Sequence, residues 1–308
     1  MSRPLIIGSR GSKLALWQAE QARARLQSLN PELHVHIEII KTTGDVKNDP
    51  LSVIGGKGVF TKELEDALLD GRIDLAVHSL KDLPTILPAG LSIAAICERE
   101  DPRDALVLRS GSKNGSLLQL PHGAVLGTSS QRRLAQLKAL RSDVIVRDLR
   151  GNVDTRIRKL DEGQYDAVIL ASAGLVRLGL QQRISARIEI SEMLPAVGQG
   201  AIAIETRSDN DFAVEMTSRL DHRETRLACL AERAFLRGLG GGCQFPIAAH
   251  AILDGDSLKL DGLVAKPDGS EILRDSLSGP SNDAEALGSA LANQLIQHGA
   301  NSLLNADD

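Results

Sequence analysis

One pattern occurs twice in this chain, and it constrains the fold more than any other feature. Residues 71–79 and residues 163–172 each start at a glycine after a helical pattern, pass an aspartate and continue as an apolar run that ends in serine. A short apolar run after a helix is typical of a buried strand in a parallel sheet. The repeat predicts two α/β domains of related design with a cleft between them; chance similarity of two ordinary αβ segments is the alternative.

The rest of the chain up to residue 239 also alternates between strand and helix patterns. Short apolar runs predict strands, and apolar positions at helical spacing behind a capping residue predict helices. The predicted strands lie at 5–7, 35–40, 73–79, 124–127 and 144–146, and the predicted helices at 61–70, 152–160 and 225–239, with further helices after Ser12 and after Ser130.

The pattern changes after three consecutive glycines, Gly240 to Gly242. Three runs at 248–253, 257–265 and 271–277, separated by Asp-Gly turns, predict antiparallel strands. A final helix is expected over 283–298. These elements predict a small C-terminal α+β domain.

Composition excludes several classes of protein. The 308 residues are 42% hydrophobic and 25% charged, which suits a globular chain with ample core. No apolar run has the length of a membrane span, and the first residues turn polar too quickly for a signal peptide, so we expect a cytoplasmic protein that binds no membrane. The three cysteines lie far apart and H-E-x-x-H is absent, so no metal site is expected.

Arginine supplies 25 of the 36 basic residues. From residue 127 to residue 190 there are 12 Lys/Arg against 7 Asp/Glu, a local charge of +5 in a chain of net charge −4. The planar guanidinium binds carboxylate or phosphate through two parallel hydrogen bonds. A basic middle segment in an acidic chain therefore indicates an anionic ligand, while the scarcity of aromatic residues argues against single-stranded nucleic acid.

Three predicted helix starts combine polar capping side chains with arginine. Helix N-termini attract anions, but arginines there oppose the helix dipole and need another reason to be present. An anionic ligand would supply that reason, and ordinary caps with solvated arginines are the alternative. The residues concerned are Thr128, Ser129, Ser130, Arg132 and Arg133 at one start, Arg150, Asn152 and Arg156 at the next, and Arg10 and Ser12 at the first.

Two further segments carry reactive groups. Asp82 follows the predicted strand 73–79, at the end where open α/β sheets bind ligands, and its carboxylate suits a developing positive charge. An Asp–Lys surface pair with Lys81 is the alternative. Cys243 follows the three glycines, so its thiol is a candidate nucleophile, although free cysteine is more often a small buried residue. Cys97 and Cys229 are interpreted as small buried residues.

Taken together, these segments resemble the hydroxymethylbilane synthase family, also called porphobilinogen deaminase, from end to end. Their order and spacing make the resemblance specific. The segments are SRGSKLALWQ at 9–18, GGKGVFTKE at 55–63, AVHSLKDLP at 76–84, REDPRD at 99–104, GTSSQRR at 127–133, LRGNV at 149–153, LPAVGQG at 194–200 and GGGCQFP at 240–246.

The resemblance implies a three-domain fold. Domains 1 and 2 would be α/β lobes like those of type II periplasmic binding proteins, with a central cleft, and domain 3 the α+β domain. The implied boundaries are 1–98 with 199–218 for domain 1, 99–198 for domain 2 and 219–308 for domain 3.

The resemblance also implies the reaction, in which four porphobilinogen molecules condense head to tail, each with loss of ammonia, and water releases hydroxymethylbilane. The growing pyrrole chain would start from a covalently bound dipyrromethane cofactor, one per protein chain. No nucleic acid or membrane partner is implied, and the expected state is a monomer.

Residue roles follow from the matching positions. Cys243 would hold the cofactor through a thioether, and Asp82 would be catalytic, stabilising the cation formed on deamination. Lys57 and Phe60 would belong to a lid. The cofactor and substrate carboxylates would be bound by Arg10, Ser12, Ser79, Lys81, Thr128, Ser129, Ser130, Arg132, Arg133, Arg150, Asn152, Arg156, Arg177, Gln199 and Gly200.

Two other functions remain open from the residues alone. A non-enzymatic anion-binding protein of the same two-lobed build would explain the arginines but not Cys243. A nucleic-acid binder would use the basic middle segment, and a salt-sensitive mobility shift would reveal it.

Overall fold

The structure is a computed structural model, and it describes residues 4–46, 58–109, 115–242 and 245–304. Two residues with predicted roles, Lys57 and Cys243, lie outside these ranges. The described chain divides into two compact units. The first contains residues 1–99 and 201–226, and the second contains residues 100–200 and 227–308.

The first unit is built on a five-stranded sheet with the order β2-β1-β3-β10-β4. β1, β2 and β3 are parallel, whereas β10 is antiparallel to both of its neighbours. The strands are β1 (Leu5–Ser9), β2 (Val35–Ile39), β3 (Leu75–Ser79), β4 (Leu91–Ile96) and β10 (Ile202–Arg207), and the helices are α1 (Lys13–Leu29), α2 (Thr43–Val46), α3 (Lys62–Leu69) and α7 (Asp211–Ser218).

Apolar side chains cover both faces of this sheet. Leu5, Ile7 and Val77 pack with Leu26 of α1 in one buried cluster. Ala76 points to the other face and packs with a second cluster that includes residues of α3. Burial on both faces explains why β1 and β3 are nearly continuous apolar runs, as parallel strands are.

The second unit contains a sheet of the same design, ordered β7-β6-β8-β5-β9. β6, β7 and β8 are parallel, and β5 is antiparallel to β8 and β9. The strands are β5 (Asp104–Leu108), β6 (Val125–Gly127), β7 (Ile145–Arg147), β8 (Ala167–Ala171) and β9 (Ala186–Arg187), and the helices are α4 (Gln131–Leu140), α5 (Val153–Asp161) and α6 (Ser172–Arg177).

The C-terminal part of the second unit is a three-stranded antiparallel sheet, β11-β12-β13, with helices packed on it. Helix α8 begins in the first unit, and from residue 227 onward it belongs to the second. Phe235 of α8 is buried in the core with Leu260 and Leu291. The elements are α8 (Arg223–Gly238), β11 (Ile247–Asp254), β12 (Ser257–Ala265), β13 (Ile272–Pro280), α9 (Ala284–Gln297) and α10 (Ala300–Leu304).

The predicted fold class is confirmed: two α/β sheets of related design and a small C-terminal α+β part. The final helix differs in one respect from the prediction over 283–298. Gly299 adopts a φ of +98°, which ends α9 as expected, but the short helix α10 follows it. The domain boundaries and the central cleft stay predictions. No helix among the described residues is long and apolar enough to cross a bilayer.

Candidate functional site

The predicted site residues of the first unit lie at one edge of its sheet. β1 and β3 are parallel, so their carboxyl ends meet at the same edge, where open α/β sheets bind ligands. Arg10 and Ser12 follow β1, and Lys81 and Asp82 follow β3 in a single 3₁₀ turn, Leu80–Asp82. Asp82 is exposed to solvent there.

Hydrogen bonds fix the turn that carries Asp82. The Leu80 amide donates to the Ala201 carbonyl at 3.0 Å, and the Leu83 amide closes the turn on the Leu80 carbonyl at 3.1 Å. The Ser79 hydroxyl accepts from Nε2 of Gln18 on α1 at 2.9 Å. Asp82 is therefore an exposed carboxylate on a braced backbone.

Arg10 meets an aromatic residue of the predicted lid. Its guanidinium carbon lies 4.3 Å from the centroid of the Phe60 ring, a cation–π contact. Ser12 instead serves the backbone, since its hydroxyl caps α1 by accepting from the Ala15 amide at 3.3 Å. Both Arg10 and Phe60 are half-buried.

In the second unit, hydroxyl groups build the turn between β6 and α4. Thr128 Oγ1 accepts from the Ser130 amide at 3.2 Å, and the Ser130 hydroxyl caps α4 by accepting from the Arg133 amide. Ser129 Oγ accepts from the Leu149 amide and donates to the Leu149 carbonyl, both at 3.0 Å. This serine thereby ties the turn to the start of the 149–152 segment.

Arg132 and Arg133 are buried and share one carboxylate, that of Asp104. Nη1 of Arg132 lies 2.8 Å from Asp104 Oδ2, and Arg133 contacts Oδ1 with Nη2 at 2.7 Å and Nε at 3.1 Å. Burial alone would raise the pKa of Asp104, but the two guanidiniums hold it well below its usual range. The buried group carries two positive charges and one negative charge.

Asp104 is thus the anion that explains why two arginines lie at the N-terminus of α4, and it was not among the predicted site residues. Gln199 joins the same group, because its Nε2 donates to Asp104 Oδ1 at 3.0 Å and to the Pro102 carbonyl at 2.7 Å. The available signal was a single charged residue opening the apolar run 105–108. Whether Arg132, Arg133 and Gln199 also bind a ligand stays a prediction.

The remaining predicted ligand residues of the second unit are three half-buried arginines, one glycine and one asparagine. Nε of Arg156 donates to the Gly151 carbonyl at 2.7 Å, and Nη2 of Arg177 donates to the Gly200 carbonyl at 2.6 Å. Gly200 has a φ of +91°, a backbone conformation that favours glycine. Asn152 is exposed at the N-cap of α5, and Arg150 is half-buried just before it.

The described cysteines fit the structural interpretation, because Cys97 and Cys229 are both buried thiols. No group of three or more His, Cys, Asp or Glu side chains within the described ranges is arranged to hold a metal ion. Taken separately, the first unit presents an exposed carboxylate suited to a cation, and the second presents guanidiniums suited to carboxylates.

Two family models match this chain. Residues 5–215 match "Porphobilinogen deaminase, dipyromethane cofactor binding domain", and residues 226–297 match "Porphobilinogen deaminase, C-terminal domain".

Among solved structures, similar chains include the second substrate binding domain of a putative amino acid ABC transporter from Streptococcus pneumoniae. It is 13% identical with a TM-score of 0.45, over 77% of this chain and 95% of that one. An ancestral arginine-binding protein bound to arginine is 16% identical with a TM-score of 0.40, over 71% of this chain and 91% of that one.

A curated relative is far more similar in sequence. The porphobilinogen deaminase of Chromobacterium violaceum is 54% identical over 303 residues, which is 98% of this chain and 97% of the relative. This chain therefore belongs to the porphobilinogen deaminase family.

Proposed function

We propose that this chain is a hydroxymethylbilane synthase of tetrapyrrole biosynthesis, an enzyme of the transferase class. It condenses four porphobilinogen molecules head to tail, releases ammonia at each step and finally releases hydroxymethylbilane with water. The observation that carries this proposal is the exposed Asp82 carboxylate on its braced turn, in a chain that matches the family over nearly its full length.

Asp82 is the proposed catalytic residue. Positive charge develops on the substrate as ammonia leaves, and a fixed carboxylate stabilises that charge without reorganising. The hydrogen bonds of Leu80, Leu83 and Ser79 supply the fixed geometry. The same carboxylate can accept a hydrogen bond from the pyrrole N–H that attacks the cation.

The side chains present fit a dipyrromethane cofactor. Its pyrrole rings bear acetate and propionate groups, and the second unit offers guanidiniums and helix N-termini, the donors that carboxylates prefer. When bound, the cofactor supplies the free pyrrole position to which substrate units are joined. We propose that Arg150, Arg156 and Arg177 bind these carboxylates directly. The positive excess of the Arg132–Arg133–Asp104 group adds to the attraction.

In the first unit, Arg10, Ser12, Ser79 and Lys81 are the proposed substrate contacts. The cation–π contact between Arg10 and Phe60 supports this role, because it holds the guanidinium near the edge that carries Asp82. Lys57, the other proposed lid residue, lies outside the described residues.

Cys243, also outside the described residues, is the proposed attachment point for one cofactor per chain. We further propose the three-domain division given by the resemblance, a cytoplasmic location and a monomeric state without nucleic-acid or membrane partners. A simple anion-binding function is not favoured, because the chain belongs to an enzyme family with a dedicated cofactor domain.

Intact mass spectrometry tests the cofactor assignment, and product formation from porphobilinogen tests the reaction. We expect the mass of the wild-type protein to exceed the sequence mass by one dipyrromethane unit. Cys243→Ser should have the unmodified mass and form no hydroxymethylbilane, whereas Cys97→Ser, a buried thiol, should retain the added mass. An active wild-type protein without added mass contradicts the cofactor assignment.

A further inference from the structure

A buried polar cluster lies behind the strand that leads to Asp82. Nε2 of His78 on β3 is 3.0 Å from Oε2 of Glu205 on β10, and both side chains are almost fully buried. Glu65 on α3, only 6% exposed, interacts electrostatically with both of them. Burial raises the pKa of Glu65 most, the Thr61 hydroxyl lowers it, the charge of Glu205 raises it and His78 lowers it. We define these three residues as the His78 cluster.

Stability does not explain the His78 cluster. It lies on the sheet face where Ala76 packs with α3, so apolar side chains could occupy the same space. Oε1 of Glu205 is buried without a hydrogen-bond partner among the residues that the structure describes. Burying such an atom without a partner lowers the free energy of unfolding. Replacing buried ionic groups of this kind by well-packed apolar residues is often neutral or stabilising.

The position of the His78 cluster points to the reaction. Successive side chains of a strand point to opposite faces, so Ser79 and His78 are held from opposite sides. Ser79 is held by Gln18 of α1, and His78 is held by Glu205. The turn that presents Asp82 starts at the next residue, so the two contacts fix the direction in which the backbone enters it.

We propose that His78 is a positioning residue for Asp82, and that Glu205 holds its imidazole in place. The proposal rests on the proposed function. On the same face of the sheet, Ala76 of β3 packs against α3, which begins directly after Phe60 and Thr61.

The test compares removal of the hydrogen bond with removal of the whole pair, each in the holoenzyme. His78→Leu removes the bond and leaves Glu205 buried beside an apolar group. The double variant His78→Leu with Glu205→Leu removes both partners, which restores apolar packing. His78→Gln keeps an N–H donor close to the position of Nε2.

Thr206→Val is the matched control. The Thr206 hydroxyl donates to the Asp74 carbonyl at 2.7 Å, so it is a buried contact between β10 and the residue that precedes β3, at the end of the strand away from Asp82. Its loss should lower the midpoint of urea unfolding but leave turnover within about twofold.

We expect kcat to fall about tenfold or more in His78→Leu and in the double variant, with KM for porphobilinogen within about twofold, since displacement of a reacting group by about 1 Å can cost that much. His78→Gln should keep kcat within about threefold. The double variant should regain most of the stability lost by His78→Leu.

A double variant that regains both stability and wild-type kcat overturns the proposal, because the cluster would then serve the fold alone. A kcat in Thr206→Val as low as in the double variant overturns it too. If the wild-type protein forms no hydroxymethylbilane, the proposed function is contradicted. The assignment of His78 then fails as well, because it rests on that function.

Discussion

The first sheet buries two carboxyl groups beside one imidazole, whereas the second buries two guanidiniums around one carboxylate. The strand orders match, with three parallel strands, one antiparallel strand and an edge strand in each. The backbone design therefore does not determine the sign of the buried charge. In the first sheet the polar group lies behind Asp82, a residue proposed to act on substrate; in the second it includes Arg132 and Arg133 themselves.

The comparison separates two uses of a buried ionic group. Asp104 compensates charges that would otherwise be unpaired in the core, so its main effect should be on stability. The His78 cluster lies behind the strand that leads to Asp82, so its main effect should be on the geometry of that carboxylate. Four predictions test this division, in order of decreasing effect.

Asp104→Asn should have the largest effect. It leaves two buried guanidiniums without a carboxylate, and we expect the free energy of unfolding to fall by about 3–5 kcal/mol, measured by urea denaturation. Glu162→Gln is the control, because the Arg158–Glu162 pair is exposed and should contribute about 0.5 kcal/mol or less. Equal losses in the two variants would remove the basis for the comparison.

Asp82→Asn should act on the reaction rather than on the fold. The substitution keeps the shape and removes the charge, so we expect kcat to fall about 100-fold or more while the cofactor mass is retained. Because Asp82 is exposed, the free energy of unfolding should change by about 0.5 kcal/mol or less. Steady-state kinetics and intact mass on one preparation measure both, and turnover at the wild-type rate would refute the catalytic role.

Arg156→Gln should weaken the binding of carboxylates. A hydrogen bond to a charged group is worth about 1.5–3 kcal/mol, so KM for porphobilinogen or retention of the cofactor should worsen about tenfold. Arg158→Gln, two positions away on the same helix but exposed and paired with Glu162, should leave both unchanged. If both variants behave alike, the effect is one of net charge rather than of a specific contact.

The smallest expected effect is on the pH dependence of stability, because the contributions of Asp104 and Glu65 should change in opposite directions as pH rises. The pKa of Asp104 is lowered by its two arginines, so its contribution to stability is present above the unfolded value of about 4 and is lost as pH falls toward the folded value. The pKa of Glu65 is raised by burial, so its contribution is present at low pH and is lost as pH rises through the folded value.

Urea unfolding at several pH values measures both contributions. The stability gap between wild type and Asp104→Asn should narrow on acidification. Glu65→Gln should gain stability relative to wild type as pH rises. If the stability difference between wild type and Asp104→Asn and that between wild type and Glu65→Gln change in the same direction with pH, the buried groups of the two units do not differ in their pH dependence.

The sequence predicted the elements whose signal is local. Ser12 and Ser130 do cap helices, and the apolar runs at β1, β3, β6 and β7 are strands, because capping and periodicity depend on neighbouring residues. The predicted strands do not include β10, although the resemblance assigns residues 199–218 to domain 1. The place of β10 in the first sheet depends on pairing with β3, more than a hundred residues earlier, and local patterns do not contain that information.

The predicted site residues also have partners that local sequence patterns do not reveal. The arginines at the start of α4 are predicted site residues, but Asp104, their partner in the fold, lies 28 residues before Arg132. Asp104 ends the segment 99–104, in which no local pattern indicates that pairing. His78 was part of a recognised segment, yet its partner Glu205 lies 127 residues away. Side chains that act through long-range pairs are visible only once the sheet order is known.

Ser129 has a consequence for how the second sheet ends. The last backbone bond at this edge joins the Thr128 amide to the Arg147 carbonyl at 3.0 Å. The Ser129 hydroxyl then bonds both the amide and the carbonyl of Leu149, as a residue of a paired strand would. One side chain thereby continues the pairing of the two segments after the strands have ended, and it connects the turn before α4 to the segment before α5.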